Sequence, residues 1–483
     1  MSLRKALVAV DLGAQSCRVS LLRWKNGIPE VRVVHRFPNA PVASGTGLRW
    51  DIARIFADVE AGLRQCAELA TEGIASVGID GWAVDYVRLD RDGKRIGDPF
   101  CYRDERTTRA MREVFGLVPP EKLYELTGIQ IISLNSLFQL YADNISGVAA
   151  GLRWLNLPEY VTHLLGGRPV AEYTNATHTQ LVALGERKWC AEIFRATGLA
   201  LSSAPEIVGT GTLVGSIAGE LSRLPAFRET HLTVPACHDT ASAIAAIPAI
   251  GDDWAFISSG TWSLVGTVLP GPCVSGDARK MNFTNLGGVG GTICFLKNVN
   301  GMWLLRQCMD QWEKAGHVWT VGELLRECLK LPRPTRLIDV DDPQLMVPGD
   351  LPAHINAQLL GAGQAPLPLD RAGISQMANL IFHSLAERYA EVLQAIARIT
   401  GKKLKRLFIV GGGGRNEFLN RLTAERTGLD VHCGSSEAST IGNFAVQLAA
   451  LCGHENNRSG VGAAEVARFA AALSSVPFSG FME

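Results

Sequence analysis

The first group of residues able to do chemistry lies at Asp11–Arg18, near the start of the 483-residue chain. Asp11 could hold a metal ion, and Arg18 could meet phosphate oxygens. Gly13 exposes backbone N–H groups that suit a phosphate chain. Four further candidate nucleotide contacts fill the same turn: Ala14, Gln15, Ser16 and Cys17. The stretch suits a nucleoside triphosphate, although glycine and serine in a turn also simply permit the backbone angles of a hairpin.

A second small polar turn at Ser258–Ser263 offers hydroxyl groups and a glycine, with Gly260 and Thr261 at its centre. Two such turns could grip one phosphate chain from both sides. The alternative is again a plain hairpin connection.

A glycine-rich stretch at Arg406–Asn416 runs from a strand towards a helix that we predict to begin near Glu417. Gly412 and Gly413 belong to four consecutive glycines, which would let a flat ring or a phosphate approach the backbone beside Asn416. A dinucleotide fold needs its glycine motif in the first βα unit and a third glycine where Asn416 stands, so NAD binding is disfavoured. The sequence contains no P-loop motif, which excludes a nucleotide site of that type.

Two ionisable groups, His238 and Asp239, follow the apolar strand His231–Ala236 and precede a helix of small residues. An aspartate at the mouth of a strand is a candidate general base. It is equally a candidate helix N-cap, and so is Thr240. The sequence leaves both interpretations open.

The elements that carry these residues begin with a hairpin, predicted from the β-rich runs Ala6–Val10 and Arg18–Trp24. Apolar residues at helical spacing predict a helix over Asp51–Glu72, and residues 76–80 then read as a buried strand. The order is that of an α/β fold.

The same pattern recurs later in the chain. Strands are predicted at Trp254–Ser258 and Trp262–Val268, followed by a long amphipathic helix at about 374–399 and a strand at Arg406–Val410. Residues 332–370 are rich in Pro, Gly and Asp and indicate a surface excursion.

The chain of 483 residues exceeds the roughly 250–300 that one hydrophobic core organises, so we predict two domains. The recurring pattern puts the boundary just before Trp254, with domains at 1–249 and 250–483.

Composition limits the partners. Lys+Arg and Asp+Glu both number 47, which removes the broad attraction of a nucleic-acid binder. No apolar run approaches the ~18 residues of a membrane span, so we expect no membrane partner. The eleven cysteines lack a C-x-x-C pair and suggest reduced thiols in the cytoplasm rather than a disulfide framework or a zinc site. We expect a monomer or homodimer.

These stretches stand in the order of the motifs of the FGGY carbohydrate kinases. Asp11–Arg18 resembles the family's first phosphate motif, Ser258–Ser263 its second, and Val410–Asn416 its adenosine motif. Glu437–Ala445 is similar to the entry of the helix that closes the second domain. The resemblance covers nearly the whole chain. It implies an α/β fold of two ribonuclease H-like domains, related to those of hexokinase and actin, with a catalytic cleft between them.

The resemblance also implies roles for particular residues in an ATP-dependent sugar kinase that uses Mg²⁺. Asp239 would be the catalytic base, which takes the proton of a primary hydroxyl group as that hydroxyl attacks the γ-phosphorus in line. Asp11 would act at the metal's hydration shell. The sugar would meet Ala83, His238, Thr240 and Asn298. The nucleotide would meet Gly13, Ala14, Gln15, Ser16, Cys17, Arg18, Gly260, Thr261, Arg306, Gly412, Gly413 and Asn416.

Strings outside the nucleotide motifs, above all residues 78–90, 172–181 and 296–305, resemble the branch of the family that phosphorylates L-rhamnulose on O1. The chain departs from the family pattern at four positions. Gly81 and Ala83 stand where threonine and glycine are usual, Cys17 replaces a glycine, and Arg306 replaces a glutamine.

Other functions stay open. One is a kinase of the same family for another ketose or polyol, such as fuculose, xylulose or ribulose. The other is a non-catalytic regulator that binds sugar or nucleotide, against which the retained carboxylate of Asp239 argues.

Overall fold

The computed structural model describes residues 5–45, 47–147, 152–346, 349–456, 460–474, 476 and 478–479. The chain divides into two compact units. Unit 1 comprises Met1–Ile250, Val268–Phe295 and Glu437–Glu483, and unit 2 comprises Gly251–Thr267 and Leu296–Ser436.

The secondary structure alternates strands and helices. The strands are β1 (Ala6–Leu12), β2 (Ser16–Lys25), β3 (Ile28–Pro38), β4 (Val42–Ser44), β5 (Gly47–Arg49), β6 (Ile74–Gly81), β7 (Tyr86–Leu89), β8 (Arg153–Asn156), β9 (Val170–Glu172), β10 (Glu206–Val208), β11 (Thr212–Ser216), β12 (His231–Val234), β13 (Trp254–Ser259), β14 (Trp262–Leu269), β15 (Thr284–Gly287), β16 (Ile293–Asn300), β17 (Arg406–Val410), β18 (Asp430–Cys433) and β19 (Phe478–Ser479). The helices are α1 (Ile52–Leu69), α2 (Thr107–Leu117), α3 (Pro120–Thr127), α4 (Ser136–Ile145), α5 (Leu157–Leu164), α6 (Tyr173–His178), α7 (Ala191–Thr197), α8 (Asp239–Ala245), α9 (Gly276–Lys280), α10 (Trp303–Lys314), α11 (Val321–Cys328), α12 (Leu351–Gly361), α13 (Arg371–Thr400), α14 (Glu417–Thr427), α15 (Ala438–Glu455) and α16 (Ala463–Leu473).

Unit 1 is built on a sheet with the strand order β11-β12-β6-β1-β2-β3-β19. β1 pairs antiparallel with β2 and parallel with β6. All seven residues of β1 are buried, which is typical of a central strand covered on both faces. The predicted opening hairpin, the helix and the following strand are therefore confirmed.

Unit 2 repeats this arrangement in the consecutive strands β16-β14-β13-β17-β18 of a second, six-stranded sheet. β13 pairs antiparallel with β14 and parallel with β17, as β1 does with β2 and β6. The repeated hairpin, the long helix α13 and the strand β17 are confirmed, and with them the α/β fold class with two sheets.

Two later segments of the chain return to unit 1. The chain leaves unit 1 after Ile250, close to the predicted boundary, but residues 268–295 and 437–483 belong to unit 1 again. The sequence had assigned both segments to the domain 250–483. The physical reason for the second return is α15, whose small apolar side chains pack with those around α8 in a buried cluster that includes Ala236, Ala241, Ala245, Ala445 and Ala449.

The excursion predicted for residues 332–370 contains a helix, α12. Leu351, Ile355 and Leu359 are buried at intervals of four residues along one face. Pro352 reads as a helix breaker in the sequence, but it lies in the first turn, where a missing N–H group costs nothing. The prediction of a surface excursion did not include this helix.

None of the helices in the described part of the chain combines the length and apolar character that a membrane span requires. All eleven cysteines are free thiols.

Candidate active site

Asp11 and Arg18 form an ion pair at the end of the opening hairpin. The two residues are direct partners in the β1–β2 register, which explains their spacing in the sequence. Arg18 Nη1 lies 2.8 Å from Asp11 Oδ2, and the Asp11 side chain is almost fully buried. Ser439 Oγ, from the first turn of α15, donates a hydrogen bond to the same Oδ2 atom.

A second carboxylate, Glu437, contacts the same nitrogen atom of Arg18. Its Oε2 atom lies 2.9 Å from Arg18 Nη1, and its Oε1 atom lies 3.1 Å from Arg36 Nη2. The sequence predicts Glu437 only as part of the helix entry that closes the second domain. The structure places it in unit 1, where it holds the candidate phosphate-binding arginine.

Asp80 is a third carboxylate at this edge of the sheet. It is the register partner of Asp11 in the parallel pair β1–β6, and it is fully buried. Asn443 Nδ2 on α15 donates to its Oδ2 atom over 2.6 Å, while Oδ1 has no hydrogen-bond partner among the described residues. Burial, and next the negative charge of Asp11, raise the pKa of Asp80 well above its usual value. Sequence reasoning missed this residue, although an aspartate at the end of a buried parallel strand was visible in the string GIDG.

Asp239 is the first residue of α8. His238 occupies the N-cap position and makes no side-chain capping bond, so Asp239 is not a conventional N-cap. The Asp239 Oδ1 atom accepts the N–H of Thr240 at 2.5 Å and its hydroxyl at 3.2 Å. Although 36% of the side chain is exposed, the surrounding protein, and next the charge of Asp11, raise the pKa of Asp239 to about 7. A carboxylate with a pKa near neutrality suits general-base chemistry, and the catalytic role stays a prediction.

The pH dependence of turnover should follow this carboxyl group. Because its pKa is raised to about 7 and only the deprotonated form can accept a proton, we expect kcat/KM to fall about tenfold for each pH unit below that value and to level off above it. Initial rates from pH 5 to 9 measure this. A profile flat from pH 5.5 to 8 contradicts the assignment of Asp239 as the base.

The strand end that precedes Ala83 is joined to the segment that precedes Asp239. The N–H of Gly81 donates to the carbonyl group of Cys237 over 3.0 Å. A Cβ atom on Gly81 would lie 2.7 Å from Leu12 Cβ and 2.8 Å from Leu12 O, so a side chain does not fit there. The departure from threonine at Gly81 thus has a packing reason in this chain.

Ala83 is buried and is followed by a strained residue. Val84 has φ 70°, which a β-branched side chain rarely adopts. Its carbonyl group accepts hydrogen bonds from Ser136 Oγ at 2.6 Å and Gln139 Nε2 at 3.2 Å. These bonds hold the conformation and fix the position of Ala83.

Asp85 anchors the other end of this loop. It accepts hydrogen bonds from the indole N–H groups of Trp50 at 2.6 Å and Trp82 at 3.0 Å. Burial nevertheless raises the pKa of Asp85 to about 6. The anchor makes the candidate sugar-contacting loop rigid on both sides of Ala83.

Cys17 lies in the core of unit 1. Its side chain is fully buried on β2, and its thiol lies 3.5 Å from the carbonyl oxygen of Gly13. Burial raises the pKa of the thiol to about 12, so it stays protonated. The cysteine that replaces the family's glycine therefore serves packing in this hairpin, while Gln15 at the turn is exposed.

In unit 2, the polar turn Ser258–Ser263 accepts backbone hydrogen bonds from the start of α10. The carbonyl groups of Gly260 and Thr261 accept the N–H groups of Met302 and Trp303, each at 3.2 Å. Arg306 lies one turn further along α10, exposed, with Asp310 Oδ1 3.1 Å from its Nε atom. Asn298 lies on β16, in unit 2, whereas Ala83, His238 and Thr240 lie in unit 1.

The glycine tract packs directly against the same turn. A Cβ atom on Gly413 would lie 1.9 Å from Ser259 Oγ, and one on Gly411, where φ is 85°, would lie 2.8 Å from Ser259 O. A Cβ atom on Gly412 would meet nothing within 4 Å. Asn416 caps α14, because its Oδ1 atom accepts the N–H of Leu419 at 3.0 Å. Close packing explains two of the four glycines, and Gly412 faces open space.

The chain matches two known domains over most of its length. Residues 6–246 match the N-terminal domain, and residues 255–451 the C-terminal domain, of the FGGY family of carbohydrate kinases. A rhamnulokinase of Bacteroides thetaiotaomicron is 36% identical over 448 residues, which cover 92% of this chain and 90% of that protein. A rhamnulokinase of Pectobacterium carotovorum is 37% identical over 457 residues, 92% of this chain and 88% of that protein.

Solved structures share the fold at low sequence identity. A gluconate kinase from Lactobacillus acidophilus superposes with a TM-score of 0.75 at 16% identity and covers 96% of this chain and 92% of its own. A Plasmodium falciparum glycerol kinase with ADP gives 0.74 at 14% identity, with 99% and 94% covered. With both domains matched in order, the chain belongs to the FGGY family of carbohydrate kinases.

Proposed function

We propose that this carbohydrate kinase transfers the γ-phosphate of ATP to the primary O1 hydroxyl of L-rhamnulose and yields L-rhamnulose 1-phosphate. The observation that carries the choice of sugar is the similarity of 35–37% over 92% of the chain to several proteins named rhamnulokinase. The strings at 78–90, 172–181 and 296–305 lie outside the nucleotide motifs and support the same sugar.

Asp239 is the general base in this proposal. Its Oδ1 atom is engaged by Thr240, while Oδ2 accepts no hydrogen bond from the described residues. Oδ2 therefore takes the proton of the sugar O1 hydroxyl while that oxygen attacks the γ-phosphorus. The raised pKa of Asp239 supports the role, since a base near neutrality binds the proton well enough to help the reaction.

The sugar lies against Ala83 and the segment His238–Thr240 in the proposal. Because the loop around Ala83 is held by hydrogen bonds on both sides, Ala83 would form a rigid surface on one side of the sugar. A wall set by packing discriminates substrates by size, and one methyl group changes preference by about 10–200-fold.

Asp11 and Arg18 act on the phosphates in the proposal. Besides burial, the negative charge of Asp11 raises the pKa of both Asp80 and Asp239, while the positive charge of Arg18 lowers the pKa of both. The carboxylate oxygens at this position, among which Asp80 Oδ1 has no hydrogen-bond partner within the described residues, fit Mg²⁺. This ion binds through one or two carboxylates plus water and phosphates. Asp11 would hold the ion. When bound, Mg²⁺ would neutralise phosphate charge during transfer.

The nucleotide contacts of unit 2 are Gly260, Thr261, Gly412, Gly413 and Asn416 in this proposal. Gly412 supports it, because open space at its Cα is what an approaching ring or phosphate needs. The exposed Arg306 lies on α10, one helical turn beyond the residues that contact the turn Ser258–Ser263, and would also contact the nucleotide.

We propose a cytoplasmic location, which the eleven free thiols support, because disulfides are rare in that compartment.

The experiment is ADP release by the purified protein with ATP, Mg²⁺ and a panel of L-rhamnulose, fuculose, xylulose and ribulose. We expect kcat/KM for L-rhamnulose to exceed each of the others by about tenfold or more. A preference of that size for another ketose makes the protein a different kinase of the family, and sugar binding without ADP release would indicate a regulator. In Ala83→Gly the ranking of the sugars should change while KM for ATP stays unchanged.

A further inference from the structure

The short helix α6 and the residue before it hold the backbone of the segment that leads to Asp239. Glu172, fully buried, accepts the N–H of Cys237 at 3.0 Å on its Oε2 atom. The same oxygen accepts the hydroxyl of Thr174 at 2.5 Å, and Thr174 Oγ1 in turn accepts the N–H of His238 at 3.3 Å. Two consecutive N–H groups just before Asp239 are thus tied to one buried network.

The last residue of α6, His178, holds the side chain of His238. The centroids of the two imidazole rings lie 3.9 Å apart with a tilt of 60°. His178 Nε2 and His238 Nδ1 are both buried without a hydrogen-bond partner among the described residues. The rings therefore act on each other by packing, and neither of these nitrogens is open to a ligand.

Both rings are neutral in this environment. Burial lowers the pKa of His178 to about 3. It also lowers the pKa of His238 well below its usual value, and charge on His178 would lower it further. A neutral imidazole carries one N–H group.

The other ring nitrogen of His238, Nε2, faces the candidate base Asp239. His238 Nε2 lies 3.2 Å from Asp239 Oδ1. A carboxylate only accepts hydrogen bonds, so this contact favours the tautomer with hydrogen on Nε2. Together with the two donors of Thr240, it directs three donor groups to Oδ1.

We propose that His178 is a positioning residue for phosphoryl transfer: it packs against His238 and holds that ring with Nε2 at Asp239 Oδ1, which leaves Oδ2 to accept the sugar's proton. This inference rests on the proposed function, in which Asp239 is the base. If His238 became protonated, it would place a second positive charge, besides that of Arg18, near Asp239. This charge would stabilise the ionised carboxylate, and Asp239 would bind a proton less tightly.

The kinetic test compares two variants. In His178→Gln the planar ring is lost, and we expect kcat to fall by about 10–100-fold, the scale of a misplaced catalytic group, with KM for sugar and ATP within about threefold of the wild type. In His178→Phe a ring of similar shape remains without nitrogens, and kcat should stay within about threefold. A control, His163→Phe, changes a histidine on α5 whose Nδ1 contacts the carbonyl of Gly167, and it should leave kcat unchanged.

Three outcomes would overturn the inference. An unchanged kcat in His178→Gln removes the positioning role. Equal losses in the Gln and Phe variants would mean that a nitrogen of His178 acts directly. A rise of KM for sugar with kcat unchanged would make His178 a binding residue.

A second readout needs no turnover and separates this inference from the proposed function. In ¹⁵N-histidine-labelled protein, the signals lost in His238→Gln assign the His238 ring. We expect Nε2 protonated and Nδ1 unprotonated from pH 6 to 8, and tautomer averaging in His178→Gln. A charged ring or an Nδ1–H tautomer in the wild type contradicts the inference even if L-rhamnulose is the substrate, whereas a wild type inactive on every sugar with the expected tautomer would overturn only the proposed function.

Discussion

Replacing Asp239 by asparagine should lower kcat by about 10²–10⁴, the usual scale for the loss of general-base assistance. The amide keeps the size of the side chain and an acceptor for the N–H of Thr240, so the local fold should persist. What is lost is the group that accepts the sugar's proton. Steady-state ADP release with the best ketose of the panel measures the effect.

Binding and stability measurements serve as controls for this variant. Calorimetric titration with sugar and with ATP should give dissociation constants close to those of the wild type, and thermal melting should show little change. If the carboxylate served only helix α8, the variant would instead lose about 1 kcal/mol of stability and keep its turnover. That result would contradict the catalytic assignment.

The second large effect is expected for Gly442→Ala, a change outside the nucleotide motifs. A Cβ atom at position 442 would lie 1.7 Å from Ser242 O on α8 and 3.1 Å from the backbone nitrogen of Ala246, the residue that follows α8. Backbone cannot give way as a flexible side chain does, so α15 and α8 must separate. We expect the free energy of unfolding to fall by about 3 kcal/mol. Thermal or denaturant melting measures this loss.

Activity should fall with stability in this variant, because α15 also carries Ser439 and Asn443, which bind Asp11 and Asp80. The matched control is Gly116→Ala on α2, where a Cβ atom meets nothing within 4 Å. There the same substitution should stabilise the protein by about 0.5 kcal/mol, since alanine favours helix over glycine. Equal melting temperatures for the two variants would mean that the close approach of α8 and α15 is not needed.

Local features were predictable from the sequence because their causes are local. The hairpin β1–β2 follows from two β-rich runs with a polar turn between them, and α13 follows from apolar residues at helical spacing. Helix α12 was not predicted, because the Pro, Gly and Asp content of residues 332–370 indicates a surface excursion. A proline in the first turn of a helix looks like a helix-breaking proline until the helix start is known.

The family and the candidate base were also within reach of the sequence. The order of Asp11–Arg18, Ser258–Ser263 and Val410–Asn416 depends only on the chain, and both FGGY domains match it. The sequence leaves Asp239 open as a base or a helix cap. The backbone angles of His238 show that His238 takes the N-cap position, and the role of Asp239 as the base stays a prediction.

Tertiary structure decided which side chains surround Asp11 and Asp239. Ser439 and Glu437 meet residues more than 400 positions away, since α15 returns to unit 1 to bury its small apolar face. His178 contacts His238, 60 residues away in the sequence, for a similar reason. The end of α6 is buried against the segment that contains His238 and Asp239. Periodicity and turn signals record what a residue does with its near neighbours, whereas the pKa of a carboxylate and the fit of a glycine depend on atoms that only folding brings within a few ångströms.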